Sequence, residues 1–123
     1  MSVTISNDNI ITLSRGDTVN LPLFINEGSD LLPILYELKD NDKLYLGVME
    51  PNQPFERAII KKVFTNQSKK DQNNLILIKL EHEDTRELIP GKYFYQIKLK
   101  KQNEDETYDI HTIVDKTLLL IIE

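Results

Sequence analysis

The densest group of side chains that could bind a metal ion surrounds His82. This histidine is flanked by four acidic residues, Glu81, Glu83, Asp84 and Glu87. A hard cation such as Ca²⁺ accepts carboxylate oxygens, but the spacing fits no EF-hand loop because the segment has no glycine and its acidic positions do not alternate. We therefore expect a solvated turn in which Asp84 or Thr85 caps a single helical turn, with a calcium site as the alternative.

Side chains suited to catalysis are scarce in the rest of the sequence. The chain contains two histidines and no cysteine, and it has no nucleophile elbow and no phosphate-binding glycine loop. His111 and Asp109 stand two residues apart in an alternating segment, so we expect an exposed pair on a sheet face rather than a catalytic dyad. No acidic residue lies inside an apolar run, which disfavours a glycosidase pair. We expect a protein that is not an enzyme and binds no cofactor and no metal.

Arg15-Gly16-Asp17 is the tripeptide that integrins recognise, and it also has the composition of a tight turn. Glycine supplies the reversal between two strands, and aspartate commonly accepts hydrogen bonds from backbone N–H groups of a turn. Short motifs match by chance often enough that we expect the turn role. An adhesive role requires the tripeptide to be exposed in a flexible loop.

Basic and aromatic side chains form two further groups with binding chemistry. The clustered lysines are Lys61, Lys62, Lys69, Lys70, Lys98, Lys100 and Lys101. With Phe94 as the only aromatic residue predicted on the face of the last three, we interpret these lysines as edge protection and solubility rather than a single-strand binding sheet. The tyrosines that could form a carbohydrate platform are Tyr36, Tyr45, Tyr93, Tyr95 and Tyr108. Core and corner positions are the more common roles of tyrosine in β-sandwiches.

Composition narrows the class of protein. A chain of 123 residues is expected to form one domain, residues 1–123, with a core large enough to fold without disulfides. Twenty acidic residues against fifteen basic ones give a formal net charge of −5, which is the wrong sign for neutralising phosphates, so we expect no nucleic-acid partner. No apolar run approaches the roughly 20 residues that cross a bilayer, and we expect no membrane partner.

Short alternating or apolar runs separated by turn residues predict an all-β fold. We predict an antiparallel immunoglobulin-like β-sandwich of about seven to nine strands with little or no helix. The predicted strands are residues 10–14, 18–25, 34–38, 43–50, 57–65, 75–81, 92–101, 107–114 and 117–122. Residues 57–65 also fit a helical stripe, and the β-forming side chains there favour a strand. The polar residues 66–74 predict a loop.

Three turns are predicted in the second half of the chain. Pro90-Gly91 has the composition of a type II turn, and Tyr93 just after it predicts a tyrosine corner, whose hydroxyl bonds back to the preceding turn. Asp115-Lys116 predicts a hairpin between the last two strands, and the polar residues 102–106 predict another connection. The final run, Leu118-Leu119-Leu120-Ile121-Ile122, is apolar on both faces, as in a central strand or one covered by a partner.

These turn and strand signatures resemble those of a known protein family. The segment 11–18, the strand 76–80 followed by Asp84-Thr85, the pattern Leu88-x-Pro90-Gly91-x-Tyr93, and the final apolar strand resemble the small β-sandwich domain of tailed-bacteriophage structural proteins, including the N-terminal domain of the baseplate upper protein. The resemblance implies a non-enzymatic protein that docks into a virion assembly. It implies a location in the virion after synthesis in the cytoplasm of a bacterial host.

Three functions follow as hypotheses, and the third of them is a metal-dependent or hydrolytic activity built on His82, His111 and nearby carboxylates. The first is a virion structural protein that docks on a repeated protein lattice, either as a capsid decoration protein or as a small tail or baseplate adaptor. Its partners are other virion proteins, such as major capsid or tail and baseplate proteins, and further copies of the chain in a homo-oligomer. The second is a carbohydrate-binding or host-adhesion module. The predicted partner-binding residues are Met1, Ser2, Val3, Thr4, Ile5, Asn66, Lys69, Lys70 and Asn74.

Overall fold

A computed structural model of the chain describes residues 3–5, 10–23, 38–65 and 76–123, and most of them lie in β-strands. Over these residues the strands are β1 (Val3–Ile5), β2 (Ile11–Ser14), β3 (Val19–Leu23), β4 (Lys43–Met49), β5 (Ile60–Phe64), β6 (Ile76–Leu80), β7 (Gly91–Gln102) and β8 (Tyr108–Ile122). Two short helical segments accompany them, a 3₁₀ turn at Phe55–Arg57 and the single α-helical turn α1 at His82–Thr85. The expectation of an all-β fold is confirmed at this level.

The strands form two sheets. The larger one has the order β1-β2-β8-β7-β4-β5, and β3 pairs with β6 in a second, two-stranded sheet. All pairs are antiparallel except β2 with β8, where Ile11 lies opposite Leu119 in a parallel register. The larger sheet is therefore mixed, and the prediction of antiparallel pairing is wrong at this pair. The two strands come from opposite ends of the chain, so no short hairpin constrains their relative direction.

The hydrophobic core contains side chains from both sheets. On β4, Leu44, Leu46 and Val48 are buried, as the two-residue period of that strand predicts. One continuous cluster joins them to side chains of β2, β7 and β8 and to Val19, Ile78 and Leu80 of the smaller sheet. Each such aliphatic side chain contributes roughly 1.5–3 kcal/mol when it leaves water, which is why the alternating segments fix the fold.

β8 is one long strand, and the predicted hairpin at Asp115-Lys116 is wrong. Tyr95 of β7 lies opposite Thr117, whereas Ile97 lies opposite Val114, so the intervening residues of β8 are accommodated in a bulge. Polar residues in a bulge have the same local composition as a turn, which explains the error. The reversal between β7 and β8 lies at Asn103, whose N–H donates to the Thr107 carbonyl at 2.8 Å.

The other predicted elements agree with the structure to different degrees. β8 lies between β2 and β7, so the apolar run 118–122 belongs to a central strand, which is the first of the two predicted alternatives. Residues 57–65 divide into the end of the 3₁₀ turn and β5, so the strand prediction holds only for the second part. The strand predicted at 34–38 lies outside the described residues except for Leu38, which is buried but not in a strand.

The segment before β7 contains the predicted tyrosine corner. The Tyr93 hydroxyl donates to the carbonyl of Ile89 at 2.6 Å, four residues back in the preceding turn. Gly91 is already the first residue of β7 and has a φ of 157°, far from the roughly +80° at the third position of a type II turn. The corner is therefore confirmed, and the predicted turn type is wrong.

Replacing Tyr93 by phenylalanine is expected to lower the free energy of unfolding by about 0.5–1.5 kcal/mol, because the buried ring stays while its hydrogen bond to the turn is lost. Urea denaturation followed by far-ultraviolet circular dichroism measures the change. Tyr108→Phe is the matched control, since Tyr108 is exposed on β8. Equal stability of the Tyr93 variant and the parent protein would show that the hydroxyl bond contributes nothing.

Candidate functional site

The Arg15-Gly16-Asp17 segment is a turn held against α1. Gly16 has a φ of 84°, and the Asp17 N–H donates to the Ser14 carbonyl at 3.0 Å. The Gly16 N–H donates to the buried Thr85 hydroxyl at 2.9 Å, and the Gly16 carbonyl lies 2.6 Å from Nδ1 of His82. The predicted turn role of glycine is confirmed. Both backbone polar groups of Gly16 are engaged by α1, so the tripeptide has a defined structural function.

The acidic segment around His82 forms a capped helical turn. The Asp84 carboxylate accepts a hydrogen bond from the Glu81 N–H at 2.7 Å, and the Glu81 side chain reciprocates in a capping box. The same carboxylate forms an ion pair with Lys62 of β5 at 2.8 Å. The predicted single helical turn is confirmed, but its N-cap is Glu81, and Asp84 contributes as the N3 residue of the capping box. Among the described residues, no three or more His, Asp or Glu side chains are placed to hold a metal ion.

The second histidine lies on a different element. His111 and Asp109 are both exposed in the first half of β8, opposite Leu99 and Lys101 of β7. They lie on one face of the strand, as predicted from their spacing. On β7, burial raises the pKa of the Tyr95 phenol.

Three of the nine predicted partner-binding residues lie within the described part of the chain. Val3, Thr4 and Ile5 form β1, which pairs with β2 at one edge of the larger sheet. Six other predicted residues lie outside the described ones, namely Met1, Ser2, Asn66, Lys69, Lys70 and Asn74. Val3–Ile5 are thus one strand of the sheet in this structure, and binding through them would use its edge.

A different candidate site lies on the outer face of the larger sheet, the face turned away from the hydrophobic core. Here an open groove of about 310 Å³ separates the 3₁₀ turn from the first half of β8. We call it the lysine–aromatic groove; it is lined by Tyr45, Phe55, Glu56, Lys98, Lys100 and Ile110. Its lining comes from β4, β7, β8 and the 3₁₀ turn, which are brought together by the sheet register.

Two cation–π contacts define the geometry of the groove. The Lys98 Nζ atom lies 4.7 Å from the centroid of the Phe55 ring, and the Lys100 Nζ atom lies 4.2 Å from the centroid of the Tyr108 ring. Ammonium groups within about 6 Å of a ring centroid are attracted by the ring quadrupole, by about 0.5–1 kcal/mol at exposed sites. The two lysine side chains are therefore biased toward positions at the groove.

Gly47 explains why Phe55 lies against the sheet. A Cβ atom on Gly47 would stand 2.6 Å from Cε2 of Phe55 and 3.2 Å from the Cβ of Ala58. The absence of a side chain on β4 therefore admits the 3₁₀ turn, and the Ile59 N–H ties the end of that turn to the Val48 carbonyl at 2.7 Å. This close approach places the Phe55 ring within reach of Lys98.

The outer face is rich in lysine although the whole chain is acidic. Lys43 lies opposite Lys100, and Lys61 of β5 shares this face, with its Nζ donating to the Glu56 carbonyl at 3.0 Å. Within the part of the chain that the structure describes, Glu56 is the one acidic residue that lines the groove. Negatively charged groups of a partner would therefore be attracted to this part of the protein.

Sequence reasoning missed this arrangement for identifiable reasons. It assigned Lys98 and Lys100 to edge protection, which is wrong because β7 lies inside the sheet, between β8 and β4. It placed one aromatic residue on their face, whereas Tyr45, Phe55 and Tyr108 also lie beside them. Of the proposed carbohydrate-binding tyrosines, Tyr93 and Tyr95 are buried, and Tyr36 lies outside the described residues. The alternation of lysines along β7 was the available signal. It did not reveal that β4 and β8 are the strands that pair with β7.

Comparison with known proteins assigns the chain to no family. No protein-family model, no curated protein and no solved structure matches the chain. Within the described ranges, neither helical segment has the length or apolar character needed to span a bilayer. The class that the coordinates define is a β-rich domain with a mixed six-stranded sheet and a small second sheet.

Proposed function

We propose that this chain is a non-enzymatic virion structural protein of a tailed bacteriophage or a phage-derived particle. It docks on a repeated protein lattice, as a capsid decoration protein or a small tail or baseplate adaptor. Its partners are other virion proteins, and copies of the chain associate within the particle. The proposal is supported by the resemblance of the turn and strand pattern to that of phage β-sandwich domains.

The observation that carries the docking part of the proposal is the lysine–aromatic groove. Interfaces favour tyrosine and phenylalanine in contact with a partner, and this groove combines them with two positioned lysines. In contrast, Asp84 is used in a helix cap and an ion pair, and His82 lies against the Gly16 carbonyl. The groove thus offers binding chemistry, while these groups serve local structure.

The proposal also includes an immunoglobulin-like β-sandwich architecture. Two observations support it: a single hydrophobic cluster takes side chains from both sheets, and Tyr93 forms a corner bond to Ile89. Both are features of sandwiches in which two sheets enclose one core. The part of the outer face that the 3₁₀ turn does not cover is then available to a partner.

The test is the composition of purified particles. Particles from the producing strain are separated on a density gradient, and the chain is quantified by mass spectrometry relative to the major capsid protein. We expect a fixed copy number per particle and, by cryo-electron microscopy, regular density that accommodates a 14.3 kDa domain. Abundance in the lysate together with absence from gradient-purified particles would refute the proposal.

A carbohydrate-binding or host-adhesion module is the second candidate, and one observation favours it. Tyr45 lines the groove and Tyr108 lies beside it, and aromatic faces with nearby polar groups suit sugar rings. A glycan array that includes bacterial cell-wall saccharides tests it with the isolated protein. Saturable binding that Tyr108→Ala abolishes would favour adhesion over lattice docking.

A further inference from the structure

We infer that the lysine–aromatic groove binds an extended acidic segment of a partner protein, with carboxylates at Lys98 and Lys100 and the methylene groups of the same acidic side chains against Tyr45 and Ile110. The inference rests on the proposed docking function, which it deepens by naming the chemistry of the partner. Three features of the groove carry it: its charge, the spacing of its lysines and the surroundings of its aromatic rings.

The charge of the groove is complementary to an acidic partner. Lys98 and Lys100 line it, Lys43 lies across the sheet from Lys100, and of the described residues that line the groove only Glu56 is acidic. The chain as a whole carries a formal net charge of −5. An acidic segment is therefore attracted to this face and repelled by much of the remaining surface, which gives orientation and specificity.

The spacing of the lysines matches an extended peptide. Lys98 and Lys100 are alternate residues of β7 and lie on its outer face. Their Cα atoms are about 7 Å apart, because a strand rises roughly 3.3 Å per residue. Alternate side chains of an extended partner segment have the same separation. Two carboxylates placed two residues apart can thus meet both ammonium groups, and Ile110, which is 66% exposed, offers apolar contact beside them.

The aromatic rings favour a peptide over a single-stranded nucleic acid. Stacked bases need open ring faces. Lys98 lies over the Phe55 ring, and the ring edge packs on Gly47; Lys100 lies over the ring of Tyr108. The rings therefore position ammonium groups, which bind carboxylates, rather than forming a free stacking platform.

The experiment measures binding of a fluorescein-labelled peptide with glutamate at every second position and leucine or serine between them, by fluorescence anisotropy. We expect Lys98→Glu and Lys100→Glu each to weaken binding about tenfold, since each reverses a charge at a paired contact. Lys92→Glu is the matched control: it makes the same charge change on the same face of β7, outside the groove lining, and should change affinity less than about twofold.

Several results would overturn the inference. Equal weakening by Lys92→Glu would indicate non-specific attraction, and equal affinity for a peptide with glutamine in place of glutamate would exclude a role for carboxylates. Preference for a single-stranded oligonucleotide over the acidic peptide would assign the groove to nucleic acid. Melting curves establish that the variants fold, and Lys98→Gln and Phe55→Ala, each expected to weaken binding a few-fold, provide readouts without a reversed charge.

The two proposals fail separately. Peptide binding with the expected variant pattern, but no copies in purified particles, would refute the virion role and leave the acidic-segment site in place. Copies in particles, but no difference between acidic and neutral peptides, would refute the acidic-segment site alone. Lys98→Glu protein that still assembles into particles at the parent copy number would also place the lattice contact elsewhere.

Discussion

Replacing Asp42 by alanine is expected to lower the free energy of unfolding by about 2–4 kcal/mol, because two backbone donors lose their acceptor. Asp42 is 1% exposed. One of its carboxylate oxygens accepts from the Lys39 N–H at 3.0 Å, and the other accepts from the Gln102 N–H at 3.2 Å. The carboxylate therefore joins the turn that leads into β4 to the end of β7. Equilibrium urea denaturation followed by circular dichroism measures the loss.

Two further variants separate the hydrogen bonds from other effects at Asp42. Asparagine keeps one acceptor oxygen, so Asp42→Asn should cost less than Asp42→Ala. Asn41 is exposed in the same turn, and Asn41→Ala should change stability by less than about 0.5 kcal/mol. If Asp42→Ala is as stable as Asn41→Ala, then the two N–H groups find other acceptors and the carboxylate does not hold the turn to β7.

Several strands were predictable because one of their faces is buried. β7 alternates between buried and more exposed side chains over most of its length, and β4 does so in its first half. That two-residue period can be recognised without knowledge of any partner strand. Asp42 was not singled out by the sequence, since a turn aspartate beside Asn41 has the composition of any solvated loop. Its role depends on Gln102, sixty residues further along the chain, and local composition carries no information about that contact.

The sheet order was not predictable for the same reason. β2 and β8 pair in parallel although one lies near the start of the described chain and the other at its end. Their register is set by which apolar faces meet in the core, a tertiary property. The bulge around Asp115 was missed for a local reason. Polar residues inside one long strand were interpreted as a turn between two strands.

The sequence identified individual residues of the candidate groove but not their arrangement. Lys98, Lys100, Tyr45 and Tyr108 were recognised as basic or aromatic residues, but each had an ordinary explanation when taken alone. Their chemistry arises from proximity: β4 and β8 flank β7, and Gly47 admits the Phe55 ring. A glycine between β-forming residues was the one sequence signal for this close approach, because glycine in a strand often marks a site where another group packs tightly.

Replacing Leu119 by alanine is expected to lower the free energy of unfolding by about 2–5 kcal/mol through lost burial and a residual cavity. Leu119 is 0% exposed on β8, opposite Ile11 of β2 and Tyr93 of β7. It therefore belongs to the part of the core where the parallel and antiparallel pairings of the larger sheet meet. Chemical denaturation is again the measurement, and an unchanged denaturant slope indicates that the surface exposed on unfolding is the same.

Leu120 is the matched control for that prediction, because it is the same residue type one position further along the same strand. It lies on the outer face, half-buried, opposite Lys92 and Thr12. Leu120→Ala should cost no more than about 1.5 kcal/mol, since partial exposure reduces both the burial lost and the cavity formed. A larger loss for Leu120→Ala than for Leu119→Ala would reverse the assignment of faces on β8. Because a one-residue slip exchanges the two faces of a strand, that result would contradict the register of β8 against both of its neighbours.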